Sequence, residues 1–144
     1  MSLRFRSNLD AIERKFQRWI NNFADKKNNI HKPLAKKEVE RTRKRIERTK
    51  LDPDGVPWQP WALSTEEHRR RKGTLSRGLL YDTGALLNSI TFEVTDDNFA
   101  VGSGLEYAEY LQDGTINMEA REFLGFNEEI ESDVEWAITT IFNK

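Results

Sequence analysis

The residue types that carry most enzyme chemistry are thinly spread along this chain. It has no cysteine, which removes disulfides, thiolate nucleophiles and Cys-based zinc sites together. Its two histidines, His31 and His68, are far apart in basic, polar surroundings, so they form no metal pair and are expected to face solvent. Ser64 stands four residues before His68, but a helix-capping serine accounts for it better than a nucleophile does. Asp52-Pro53-Asp54-Gly55 resembles the start of a calcium loop, yet the twelfth position, where such a loop needs an acid, is Leu63. Gly102-Ser103-Gly104 is too short for a phosphate-binding fingerprint, and no glycine loop leads into Gly-Lys-Ser/Thr. The sequence therefore predicts neither catalysis nor a cofactor.

Charge is the stronger signal. Residues 1–81 hold 21 Lys/Arg against 10 Asp/Glu, and residues 82–144 hold 2 against 14, so a formal net charge of −1 conceals halves of +11 and −12. Such asymmetry points either to an anionic partner such as nucleic acid or to association between copies. The densest basic stretch is 26–50, with 11 Lys/Arg against 3 Glu. It is open to three readings: a solvated basic helix packed along one edge, a surface for an acidic partner, or a nucleic-acid surface built on Lys36, Lys37, Arg41, Lys44, Arg45 and Arg48. Aromatic residues are not interleaved with these cations, as single-strand stacking would favour.

The elements that must position these residues follow from periodicity. At 144 residues the chain is the size of one domain, and four Trp, eight Phe and three Tyr supply a core. No apolar run approaches 18 residues, so no membrane span is expected, and Met1 to Arg6 lack the apolar stretch of a secretory signal. Leu9, Ile12, Phe16, Trp19, Ile20 and Phe23 recur at helical spacing and predict a helix over 8–24 with Ser7 as its cap. A second helix over 33–50 opens on Pro33 and carries a thin seam of Ala35, Val39, Thr42 and Ile46. Pro53, Pro57 and Pro60 then stiffen a loop in which Trp58 and Trp61 serve as anchors. Ser64 and Glu67 form a capping box for a short helix starting near Thr65. Alternation over 90–94, a turn signal at 96–98 and a return over 99–102 predict a hairpin. A short helix over 105–113 stops at Gly114, 116–123 reads as one more strand, and Asn127 caps a final helix over 127–142. The expected fold is α+β, a small antiparallel sheet around the 90–102 hairpin with long helices at both ends.

Four segments, DPDGVPWQPW at 52–61, YDTGALLNSI at 81–90, VGSGLEYAEYLQDGT at 101–115 and AREFLGF at 120–126, together resemble the phage virion morphogenesis, or tail-completion, family of Mu-like and related tailed phages. Their order and spacing carry the resemblance, which spans about half of the chain. It implies a single domain over 1–144: a basic helical part (1–50), a motif-bearing core (51–126) and a C-terminal helix. It also implies a structural protein without cofactor, acting as a ring that joins tail to head. The partners it implies are further copies of the chain, a tail tube or terminator protein and neck or connector proteins, with DNA secondary and no membrane. The setting would be the virion, after synthesis in the host cytoplasm. Fold-defining or subunit-contact roles fall to Trp58, Trp61, Gly84, Tyr107, Arg121 and Phe123. Where the family pattern often has proline, this chain has Glu122. The runner-up reading is a nucleic-acid-binding module built on the 26–50 segment.

Overall fold

The computed structural model describes residues 13–18, 20–22, 29–95 and 98–142, with residue 142 described by its backbone alone. Residues 13–18 and 20–22 are helical. The expected cap Ser7, and Leu9, Ile12, Trp19 and Phe23, lie outside the described residues. Helix α1 runs His31–Lys44 and widens into a π-helical turn over Arg45–Thr49. It starts two residues before Pro33, which therefore sits in the first turn, where its missing N–H costs no helical bond. The predicted seam is buried as Ala35, Val39, Thr42 and Ile46, joined by Leu34, Glu38 and Arg45.

Lys50 ends this helix in the left-handed region with φ +57°. The strain is offset by its ammonium, which donates to the carbonyls of Ile46 and Leu79 (2.8 Å to the latter). Helix α2 covers Leu63–Lys72. Ser64 is not its cap, contrary to the capping-box expectation. The first turn closes instead on the carbonyl of Ala62, which accepts from the N–H groups of Thr65 and Glu66 at 3.0 and 3.1 Å. A 3₁₀ turn over Leu75–Arg77 and a five-residue helix α3, Ala85–Ser89, lead to the sheet. Gly84 enters α3 with φ +88°; a Cβ there would meet only ordinary contacts, so it is the backbone angle that favours glycine.

Strands β1 (Ile90–Val94) and β2 (Phe99–Ser103) form the antiparallel hairpin, in register Ile90 to Ser103 and Val94 to Phe99. Thr95 and Asn98 close it, with the Thr95 N–H donating to the Asn98 carbonyl at 2.8 Å. Helix α1 lies across both strands. Helix α4, Ala108–Asp113, ends at Gly114, whose N–H donates to the Tyr110 carbonyl at 2.9 Å. A Cβ on Gly114 would come within 2.7 Å of the Ala120 nitrogen, so both φ (+75°) and space require glycine. Helix α5, Glu129–Phe142, has its first turn capped as expected, the Glu129 N–H donating to Asn127 Oδ1 at 3.0 Å.

The class is α+β, as the sequence predicted, but the third strand is a correction. Residues 116–123 join no sheet; they make a tight turn, bridged between Thr115 and Met118, and then an extended run. That run alternates like a strand, with Arg121 and Phe123 buried and Glu122 exposed, because it packs on the core without a neighbouring strand to pair with. Phe123, fully buried, joins Val39, Ile46, Trp58, Leu86, Ile90 and Ala108 in the hydrophobic cluster. Phe123→Ala is expected to cost about 3–5 kcal/mol through lost burial and a residual cavity. Urea unfolding monitored by tryptophan fluorescence measures this, and a loss below about 1 kcal/mol would remove Phe123 from the centre of the core.

Candidate functional site

The motif residues meet along the extended run 121–127, which side chains strap to the rest of the molecule. Trp58, buried in the proline-rich loop, donates its indole N–H to the Glu122 carbonyl at 2.7 Å. Arg45 Nη1 donates to the Phe123 carbonyl at 3.1 Å. Gln112 on α4 accepts from the N–H groups of Phe123 and Leu124, both at 3.0 Å, and returns its amide to the Leu124 carbonyl at 2.9 Å. Arg121 runs the other way, donating to the carbonyls of Gln59 and Pro60, each at 2.9 Å. Asn127 completes the series by donating to the Pro53 carbonyl at 3.1 Å. The proline-rich loop, α4 and the end of α1 thus converge on one strand-like segment. Gln112 falls within the 101–115 segment but nothing there singles it out; only the fold shows that a helix residue faces two amides of this run.

The six candidate surface cations divide. Lys36, Lys44 and Arg48 are exposed, as a basic surface requires. Arg45 is only 5% exposed, which removes it from any such surface and is a correction to the sequence reading. The physical reason is its bond to Phe123 together with its place on the buried face of α1. Arg41 and Lys37 are drawn inward by α5. Arg41 pairs with Glu38, with Asp133 at 2.6 Å and with Glu129 at 2.8 Å, while Lys37 reaches Asp133 at 3.3 Å and stacks 4.0 Å from the Trp136 ring centre. Half of the predicted basic patch is therefore internal wiring.

Burial pushes the Asp133 carboxyl up, but hydrogen bonds and charge from Arg41 and Lys37 outweigh it and hold its pKa below the usual carboxylate value. Glu38, 2% exposed, goes the other way: burial raises it against the pull of Arg41 and Arg45. Burial, then the neighbouring Arg69 charge, takes Lys50 down to about 8.

Two concavities flank this framework. One, about 750 Å³, lies between α1, the 52–55 turn and the start of α5, and mixes cations with acids. Asp52 there is used locally, its Oδ1 accepting from the N–H groups of Asp54 (2.9 Å) and Val56 (2.8 Å), which is the bond pattern of a turn rather than of a cation loop. The other, about 820 Å³, is lined by motif residues, with Trp61, Leu86, Tyr107, Leu111 and Arg121 between α2 and α4. Trp61 is half-buried under the Arg69 guanidinium, 4.8 Å from its ring centre, and Tyr107 is 45% exposed. Ser64 and His68 are both exposed, whereas His31, expected in solvent, is half-buried with its ring 6.3 Å from that of Phe99. Among the described residues no group of three His, Asp or Glu could hold a metal ion, and no helix is long and apolar enough to cross a membrane.

The model of the phage virion morphogenesis family matches residues 7–143. The chain belongs to that family. The match extends the resemblance of the four central segments to the helices on either side. No curated protein and no solved structure matches the chain. Membership in the virion morphogenesis family assigns the protein to phage particle assembly, a structural role. The convergence of Trp58, Arg121 and Phe123 on one strap is then the framework on which this member's surfaces are mounted.

The Asp133 cluster makes a pH-dependent prediction. A depressed pKa gives stability that is complete above the unfolded value, 3.8, and is lost as pH falls through the lower folded value. Glu38, being raised, contributes in the opposite sense: its share is full below 4.5 and declines as pH rises through its folded value. Asp133→Asn is expected to cost about 1.5–3 kcal/mol at neutral pH, the worth of charged hydrogen bonds. The deficit should close as the medium is acidified below the ordinary carboxylate range. Urea midpoints at neutral and acid pH check this; an equal deficit throughout would show that the carboxylate charge is not what holds α5.

Proposed function

We propose that this protein completes the phage tail and joins it to the head, acting as a ring of copies at the head-proximal end. Membership in the virion morphogenesis family over 7–143 carries the reading. The distribution of exposed charge supports the ring. A closed ring needs a heterologous interface, in which one surface of a subunit meets a different surface of the next. Exposed cations lie on α1 and α2, at Lys36, Lys44, Arg70 and Arg71, and exposed acids on α4 and α5, at Glu109, Asp113, Glu131 and Glu135. The protein's place is the tail or neck of the virion, after synthesis in the host cytoplasm. Its partners are a tail tube or terminator protein and neck or connector proteins. A nucleic-acid role on the 26–50 segment retains Lys36, Lys44 and Arg48 but not Arg45, which leaves it second.

Deleting the gene from the encoding phage or prophage should yield filled heads and separate tails in electron micrographs, restored to joined virions by the gene in trans. Joined, infectious virions without the gene would refute the head–tail role. In solution, native mass spectrometry should detect oligomers that high salt weakens, since exposed charges are screened within about 10 Å at 0.1 M ionic strength.

A further inference from the structure

Of the buried charges, Glu38, Arg45 and Asp133 belong to one cluster, in which acids and bases offset one another. Arg121 stands apart from it. It is 8% exposed, and among the described residues no carboxylate forms an ion pair with it. Burial holds its pKa below the usual arginine value, and the acid that opposes this, acting through space, is Glu119, exposed just beyond the 115–118 turn. Two of its nitrogens are engaged by the proline-rich loop, Nε with the Gln59 carbonyl and Nη2 with that of Pro60. Nη1 makes no hydrogen bond to any described residue and is not enclosed. Both of its N–H donors are therefore unused.

Arg121 lines the groove of about 820 Å³ between α2 and α4. Most of its neighbours there are apolar: Leu80, Leu86, Leu111 and Met118, with Trp61 and Tyr107. Leu80 holds φ +60°, a strained backbone angle that a bulky residue keeps only where its surroundings fix it. The other charges of the groove are answered or negative. Arg69 donates to the Tyr81 carbonyl, lies over Trp61 and stands 3.7 Å from Asp82. Asp82 and Glu119 both line the groove, so a polyphosphate chain would meet two acids there.

We propose that this groove binds a segment of a partner protein, in which an Asp or Glu side chain pairs with Arg121 Nη1 and neighbouring apolar side chains cover Leu86 and Leu111. Charge complementarity selects the occupant. One guanidinium edge without a counterion matches one carboxylate, and a charge-assisted hydrogen bond formed among apolar walls is of the strong kind. Trp61 and Tyr107 suit the flanking residues, each offering a broad apolar face with a polar tip. The inference goes beyond the ring: it assigns a surface to an unlike partner and holds whether or not copies of the chain associate.

Peptide selection tests it. Random heptamers displayed with their C-termini anchored, so that any carboxylate offered is a side chain, are selected on the full chain. The enriched peptides should share an Asp or Glu beside apolar residues. One of them is then labelled, and its affinity is read by fluorescence anisotropy. Replacing its acid by the amide should weaken binding roughly tenfold or more. Y107E, at a side chain 45% exposed, should weaken it as much, whereas E119Q removes a competing acid and should tighten it about threefold. In R121Q the loss on amide replacement should vanish. Arg121 also pins the proline-rich loop, so circular dichroism checks the fold of that variant, and Y107E and E119Q carry the test if it unfolds. No enrichment, enrichment without a common acid, indifference to the amide, or equal binding by wild type and Y107E each overturns the proposal. Self-association lost in Y107E with no peptide enriched assigns the groove to a second copy and overturns it too.

Discussion

A run of backbone placed against a core without a neighbouring strand leaves carbonyls and N–H groups that must find partners elsewhere, at a cost of about 1–3 kcal/mol for each one left unsatisfied. Residues 121–127 are such a run, and the molecule is arranged around meeting that demand. Trp58, Arg45, Gln112 and Asn127 each come from or reach to a different segment, and each bond is to a backbone atom. The proline-rich loop is stiff because Trp58 and Arg121 pin it from both sides, and Arg45 gives up its place at the surface to satisfy Phe123. What would be a third strand in a larger sheet is here a strap, bonded by Trp58, Gln112 and Arg121 from the motif segments together with Arg45 and Asn127 from outside them.

This arrangement explains which parts could be read from sequence. The hairpin, the seam of α1, the Asn127 cap and the Gly114 stop are local, set by period two, period 3.6 or a single backbone angle. The alternation at Arg121 and Phe123 was also local and looked like a strand, because a strap and a strand bury the same side chains. They differ only in where the carbonyls go, which depends on residues more than 60 positions away. The Ser64 capping box failed for a related reason: Pro60 and Ala62 deliver the chain so that the helix closes on the carbonyl of Ala62. Of the candidate site, Trp58 and Phe123 were legible as anchors, while Gln112, Glu38 and Asp133 were not.

The charge division first seen in the sequence has two layers in the structure. Inside, Arg41 and Lys37 hold the acidic helix α5 by Asp133, a contact between residues more than 90 positions apart. Outside, Arg70 of α2 pairs with Glu66 one turn back at 3.0 Å and Lys72 lies 4.0 Å from Asp82, while Glu109 and Asp113 of α4 meet no cation among the described residues. The basic and acidic halves are thus joined most closely at the buried Asp133, and more loosely at the surface through Lys72 and Asp82. A net charge of −1 says nothing of this distinction; burial does.

The strap also bears on Glu122, where the resemblance led to the expectation of a proline. Glu122 is exposed, its carbonyl accepts from Trp58, and its own N–H makes no hydrogen bond to any described residue. A site used only through its carbonyl is indifferent to the side chain it carries, and proline has that carbonyl and lacks only the donor that goes unused. Glutamate and proline are therefore interchangeable currency at this position, whereas the indole that reads the carbonyl has no equivalent. Variation along such a segment should gather at residues that lend only their backbone, with constancy at the distant side chains that hold them.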